Sequence, residues 1–137
     1  MAAFNKFNSF VEAMPEAVHN LGSNTLKVML TNTAPVATNT QKSNLTEISA
    51  GNGYTAGGTA VTITGSSQSS GTYSLVGSDV VFTASGGSIG PFRYAVLYDD
   101  TATNDELIGW WDYGSSITLA DTETFTVDFG ASILQIS

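Results

Sequence analysis

Apolar and polar residues alternate in short runs along most of this chain, and Gly, Ser and Asn punctuate the runs. The clearest run is residues 25–31, where Leu26, Val28 and Leu30 share one face of a strand and Lys27 points to the other. Thr, Val, Ile and aromatic residues dominate these runs, and they favour strands because they pack well on a pleated surface. Short strands separated by turn residues are typical of a β-sandwich or barrel.

The same pattern predicts eight strands after residue 58, at 59–64, 73–76, 79–84, 92–98, 107–113, 116–119, 124–129 and 133–136. Residues 94–98 are apolar on consecutive positions, as in a strand with both faces covered, so 92–98 is predicted to be a central strand. No internal repeat and no linker divides the chain. The prediction is therefore all-β: one antiparallel β-sandwich domain over residues 11–137.

Two stretches are less regular. Pro15 interrupts both a helix and a central strand in residues 10–19, so an edge strand that forms a hairpin with 25–31 is predicted, with a helix as the alternative. Residues 33–58 are rich in turn residues and predict a long excursion. One helical turn is predicted there at 45–48, capped by Ser43.

Residues 1–10 read as an N-terminal arm that carries Phe4, Phe7 and Phe10 between polar residues. An arm of this kind folds onto its own sandwich or clasps a partner, and periodicity does not distinguish the two. Both alternatives remain open from the sequence.

The charge balance excludes several classes of partner. Lys and Arg total 4 against 12 acidic residues, giving a formal net charge of −8, which repels nucleic-acid phosphates and anionic lipid surfaces. No apolar run is long enough to span a bilayer, and the N-terminus lacks the apolar core of a signal peptide. The absence of cysteine removes disulfides and thiol chemistry. No nucleic-acid or membrane partner is predicted.

The sequence holds little that could support catalysis or bind a metal. His19 is the one histidine, and it lies beside a turn without a glycine elbow, so a local structural hydrogen bond is predicted for it. Asp99, Asp100, Asp105 and Glu106 surround one loop, but their spacing misses an EF-hand, so a solvated loop is predicted. We predict a protein that is not an enzyme and has no metal or cofactor.

The segment Trp110-Trp111-Asp112-Tyr113 supports two interpretations. Exposed aromatic faces stack on sugars, which favours a carbohydrate-binding module, although a single acid beside them is not the carboxylate pair of a glycosidase. Alternation instead places one tryptophan in the core and the other at a subunit interface, where aromatics and arginine are enriched. The predicted interface residues are Phe4, Phe7, Phe10, Arg93, Tyr94, Trp110, Trp111 and Tyr113.

Three segments together resemble one family of phage structural proteins. They are 25–36 (TLKVMLTNTAPV), 45–58 (LTEISAGNGYTAGG) and 82–119 (FTASGGSIGPFRYAVLYDD through LIGWWDYGSSITL). They are similar to the small capsid cement, or decoration, proteins of short-tailed bacteriophages such as the Bordetella phage, from about His19 to the C-terminus.

The resemblance implies a jelly-roll sandwich that is made in the host cytoplasm, forms homodimers and binds the outer surface of a mature HK97-like capsid. Its partners would be the major capsid protein, whose subunits it bridges, and a second copy of itself. The alternative is a tail- or fibre-associated carbohydrate-binding module, because similar sandwiches serve both roles.

Overall fold

A computed structural model describes residues 2–137 of the chain. Within these residues the chain forms ten strands, which range from two to thirteen residues, one short α-helix and one 3-10 helix. In chain order the elements are β1 (Asn5–Lys6), α1 (Asn8–Ala13), β2 (Leu26–Thr31), a 3-10 helix (Lys42–Asn44), β3 (Thr59–Ala60), β4 (Ile63–Ser69), β5 (Thr72–Gly77), β6 (Val80–Thr83), β7 (Ile89–Asp99), β8 (Leu107–Leu119), β9 (Thr124–Val127) and β10 (Leu134–Ile136).

The strands form one large and two small antiparallel sheets. The large sheet has the order β1-β8-β7-β2-β3, and the small ones are β10-β5-β4 and β6-β9. The main core lies between them, where Val28 on β2 and Leu97 on β7 belong to one apolar cluster with Leu75 on β5 and Phe82 on β6. The prediction of an all-β antiparallel sandwich is confirmed. A jelly-roll has two Greek keys in a double sheet of eight strands, and that part stays a prediction.

Strand β7 is the third of five strands in the large sheet, as predicted for a central strand. Its successive residues alternate between two apolar clusters, because Leu97 points into the main core and Val96 into a second cluster on the opposite face. Phe7 and Leu45 cover that second face. The consecutive apolar residues of β7 are therefore explained by burial on both sides.

The edge strand predicted for residues 10–19 is wrong. Helix α1 occupies the first part of this stretch, with Phe10 and Ala13 three residues apart on its buried face, and turns follow. Pro15 lies just beyond the helix end, a common place for proline because it cannot continue the helix. The helical turn predicted at 45–48 is also wrong, since a 3-10 helix lies just before it and is capped by Gln41 rather than Ser43.

Two parts of the chain are divided into strands differently from the sequence prediction. Residues 59–64 divide into β3, which pairs with β2 in the large sheet, and β4, which pairs with β5 in a small sheet. Conversely, 107–113 and 116–119 join as the single strand β8, which continues through Gly114 at φ 104°. Glycine adopts that left-handed conformation without strain, so a residue that resembled a turn bends the strand instead of ending it.

A hydrogen-bond network attaches the 33–58 excursion to the large sheet. The Tyr54 hydroxyl donates to Glu47 Oε2 (2.6 Å) and accepts from Leu30 N (3.0 Å), while Gly57 N donates to the same Glu47 oxygen (2.7 Å). Burial and the bond to Glu47 raise the pKa of Tyr54 far above its usual range, so the hydroxyl stays protonated. The excursion is thereby fixed beside β2.

Candidate functional site

A groove of about 630 Å³ opens at one side of the sandwich, between the large sheet and β9. We call it the edge groove. The large sheet contributes Arg93, Trp111, Asp112 and Tyr113, and residues 124–128 form the opposite wall. The groove therefore combines one cationic, one anionic and several aromatic side chains on rigid strands.

The aromatic side chains of the edge groove differ in their accessibility. Trp111 is only 7% exposed and packs against Phe4 and Phe129, with both ring centroids 5.4 Å away. Tyr113 is 54% exposed, and its ring meets Phe125 edge-on at 5.6 Å. Trp111 thus forms the floor of the groove, and Tyr113 is the ring available to a ligand.

Arg93 and Asp112 form a two-point ion pair at the rim. Arg93 Nε donates to Asp112 Oδ1 (2.8 Å) and Nη2 to Oδ2 (3.1 Å), and the guanidinium lies over the Tyr94 ring at 5.3 Å. The hydrogen bond from Arg93 lowers the pKa of Asp112, and a bond from Gly114 N adds to the effect. Arg93 therefore brings no net positive charge to the groove.

β8 and β9, the two strands that border the edge groove, each have an edge that lacks a strand partner in residues 2–137. The outer edge of β8 pairs with β1 only at Gly109 and Trp110, and β9 pairs only with β6. Glu123 O accepts from Ala84 N on the β6 side of β9. Since backbone groups alternate along a strand, those of Thr124 and Thr126 point away from β6.

The eight predicted interface residues separate into two groups. Four pack within the chain itself: Phe4, Phe7, Phe10 and Trp110. Phe7 is 0% exposed and its ring lies 4.6 Å from that of Trp110, Phe10 is buried in the main core, and Phe4 contacts Trp111. The other four lie at the edge groove or its rim: Arg93, Tyr94, Trp111 and Tyr113.

The N-terminal segment therefore folds onto its own sandwich. β1 adds a short strand to the edge of the large sheet, and the predicted boundary at residue 10 falls inside α1. Phe7 and Phe10 are available to a partner only if this segment detaches. Met1 of the predicted arm lies outside the described residues.

Sequence reasoning missed the β9 side of the groove. Thr124, Phe125 and Thr126 line it, but the pattern that predicted a strand at 124–129 carried no information about which strand it faces. The three positions read as an ordinary alternating strand. Only the sandwich packing brings them opposite Trp111 and Tyr113.

His19 and Asp99 form a buried pair, which corrects the predictions for both. His19 Nδ1 lies 2.9 Å from Asp99 Oδ2, and neither side chain is exposed. Because an ionised carboxylate only accepts, the proton is on Nδ1. The hydrogen bond of His19 is thus made 80 residues away instead of locally. Asp99 is buried instead of solvated, and the pair lies away from the edge groove.

The Asp99 carboxylate is stabilised in its ionised form. Burial alone would raise its pKa, but hydrogen bonds from His19, Asn24 and Thr101 N outweigh burial and bring the pKa below the ordinary 3.8. The folded state therefore binds this proton more weakly than the unfolded state does. Asp99 contributes stability that is fully present above pH 3.8 and is lost as the pH falls through the lower, folded pKa.

We expect the free energy of unfolding of the wild type to fall more steeply between pH 4 and pH 2 than that of Asp99→Asn. One such carboxylate contributes a slope of at most about 1.4 kcal/mol per pH unit. Urea denaturation followed by tryptophan fluorescence across this range measures the difference. Parallel curves for the two proteins would show that Asp99 is not the group responsible.

The remaining acidic loop residues are dispersed. Asp100 pairs with Lys27 at 3.2 Å, and burial together with neighbouring Asp100 raises the pKa of Asp105. Among the described residues there is no group of three or more metal-ligating side chains. In the same part of the chain, no helix has the length and apolarity needed to cross a membrane.

No protein-family model, curated protein or solved structure matches the chain. The three segments that carry the family resemblance nevertheless have identifiable places in the fold. Residues 25–36 include β2, residues 45–58 contain the Glu47–Tyr54 network, and residues 82–119 include β7 and β8. The last segment forms the large-sheet side of the edge groove.

Proposed function

We propose that this chain is a capsid cement protein. It binds the outer surface of a mature HK97-like phage capsid and bridges neighbouring subunits of the major capsid protein, acting as a homodimer and catalysing no reaction. The observation that carries the proposal is the edge groove, which presents Arg93 and Tyr113 on rigid strands above Trp111. These three residue types dominate the binding energy of protein interfaces.

The sequence resemblance supports the same function independently. The segment 82–119, which resembles phage cement proteins, supplies Arg93 and the aromatic residues of the groove's large-sheet side. The groove therefore lies in the part of the chain where the resemblance is longest.

Cementing requires only differential affinity. A protein that binds the mature lattice better than its precursor shifts the equilibrium towards the mature lattice by mass action. A dimer carries two edge grooves, and once one is bound the second meets its site at high effective concentration. Modest single contacts are then sufficient to stabilise a shell.

The test is co-sedimentation with expanded shells of the major capsid protein that lack this chain. We expect saturable binding and greater heat resistance of the shells. Tyr113→Ala should weaken binding by roughly 30-fold, the effect of losing a hot-spot aromatic. Val36→Ala, at an exposed residue outside the groove lining, is the matched control and should bind normally. Failure of the wild type to sediment with shells would contradict the proposal.

A carbohydrate-binding module is the second candidate function, but its sugar site would be centred on Tyr113 and not on a tryptophan. Trp110 packs on Phe7 and Trp111 forms the groove floor, so the open ring is Tyr113 beside the Arg93–Asp112 pair. Titration with host-surface polysaccharide, followed by tryptophan fluorescence, tests it. A saturable change that Tyr113→Ala abolishes, together with no shell binding, would replace the cement proposal.

A further inference from the structure

The edge groove is bordered by main-chain groups that have no hydrogen-bonding strand beside them in residues 2–137. On β9 these are the outward groups of Thr124 and Thr126, and on the opposite side β8 has no strand partner at this edge from Trp111 onward. A free strand edge is a template for another strand, and proteins usually protect such edges with charged residues or proline. The β9 residues, Thr-Phe-Thr-Val, include neither.

We propose that the edge groove binds one extended segment of the partner polypeptide, which adds as a strand along β9 and carries basic residues at its ends. The inference rests on the proposed function, and the partner is accordingly a subunit of the major capsid protein. Main-chain hydrogen bonds supply affinity in this mode of recognition, and pockets for alternate side chains supply specificity.

The inner face of the added strand would meet an apolar surface. Side chains of neighbouring strands lie side by side on the same face of a sheet. Phe125 and Val127 of β9 point inward, towards the side of the groove where Trp111 forms the floor. Alternate residues of the bound segment would therefore be apolar, and those beside Thr124 and Thr126 would face solvent.

Charge at the ends of β9 selects a foreign segment over a second copy of this chain. In antiparallel pairing, residues whose backbone groups point outward lie opposite one another, so self-pairing centred on Phe125 places Thr124 opposite Thr126. At each end it then sets Glu123 of one copy one position away from Asp128 of the other. Like charges this close repel each other, and both side chains lie on the exposed surface of a chain with net charge −8. A segment with Lys or Arg at each end meets the same two carboxylates favourably.

The decisive variant is Thr126→Pro, compared with Thr126→Val. Proline removes the Thr126 N–H, which points away from β6 on a residue that lines the groove, and leaves the hydrogen bonds between β6 and β9 in place. Valine keeps the N–H and changes only the side chain. We expect Thr126→Pro to weaken co-sedimentation with the shells by roughly tenfold or more, and Thr126→Val by no more than about twofold.

Hydrogen exchange provides a readout that does not depend on a variant. In the free wild type the amides of Thr124 and Thr126 should exchange rapidly, and they should become protected when the chain is bound to shells. Circular dichroism and thermal unfolding establish that Thr126→Pro is folded before its binding is scored.

Each outcome bears on the inference separately from the proposed function. Normal shell binding by Thr126→Pro, or unprotected Thr124 and Thr126 amides in the bound wild type, would overturn strand addition and leave cementing intact. A shift of Thr126→Pro from dimer to monomer without shells would assign the edge to a second copy and also overturn the inference. If the wild type does not bind shells, the proposed function fails, and the inference fails with it because it names that partner.

Discussion

Replacing Asp99 by alanine is expected to lower the free energy of unfolding by about 3–5 kcal/mol, because several donors lose their acceptor at once and each buried donor left unsatisfied costs about 1–3 kcal/mol. Asp99 Oδ2 accepts from His19 Nδ1 (2.9 Å) and Asn24 Nδ2 (2.6 Å), and Oδ1 accepts from the backbone of Thr101 (3.0 Å). The substitution leaves these donors without an acceptor, and His19 is fully buried. Guanidinium denaturation followed by tryptophan fluorescence measures the loss.

The neighbouring residue provides a matched control for this prediction. Asp100 pairs with Lys27 at 3.2 Å, but both side chains are partly exposed, so Asp100→Ala should change the stability by less than about 1 kcal/mol. Equal denaturation midpoints for the Asp99 and Asp100 variants would show that the buried pair does not hold the fold together.

The strands of the large sheet could be predicted where burial is regular. Strand β2 was predicted at residues 25–31 and lies at Leu26–Thr31, because its apolar side chains alternate with the period of a strand. The central position of β7 could also be predicted, since a strand that is covered on both faces loses that alternation. Both signals are local, and neither depends on knowing the partner strand.

The errors arose where distant residues decide the structure. The two-residue strand β1 has no periodicity of its own, and its pairing with β8 spans about one hundred residues. The His19–Asp99 pair likewise joins positions 80 residues apart. At the candidate site, Arg93 and Tyr113 could be selected from the sequence because they lie among aromatic residues. The sequence could not identify Thr124 and Thr126, because the direction of their backbone groups depends on how β9 pairs with β6.

The N-terminal segment provides the second large expected effect. Phe7→Ala should destabilise the isolated chain by about 3–5 kcal/mol, because the ring is fully buried against Trp110, Met29 and Leu45 and its loss leaves a cavity. Chemical denaturation of the purified chain, without any capsid protein, is the appropriate measurement. Trp110 fluorescence should also change in the folded state, since its ring loses its neighbour.

Val11→Ala is the matched control, because Val11 lies on the adjacent helix α1 and is 57% exposed, so its loss should change stability by less than about 0.5 kcal/mol. The comparison also separates the two roles that the sequence left open for this segment. A clasp held by a partner would leave the isolated Phe7→Ala chain as stable as the wild type and would weaken only its association. Loss of stability in the isolated chain means that Phe7 belongs to the core of its own sandwich, and the proposed binding to a capsid must then use other surfaces, with the edge groove as the first candidate.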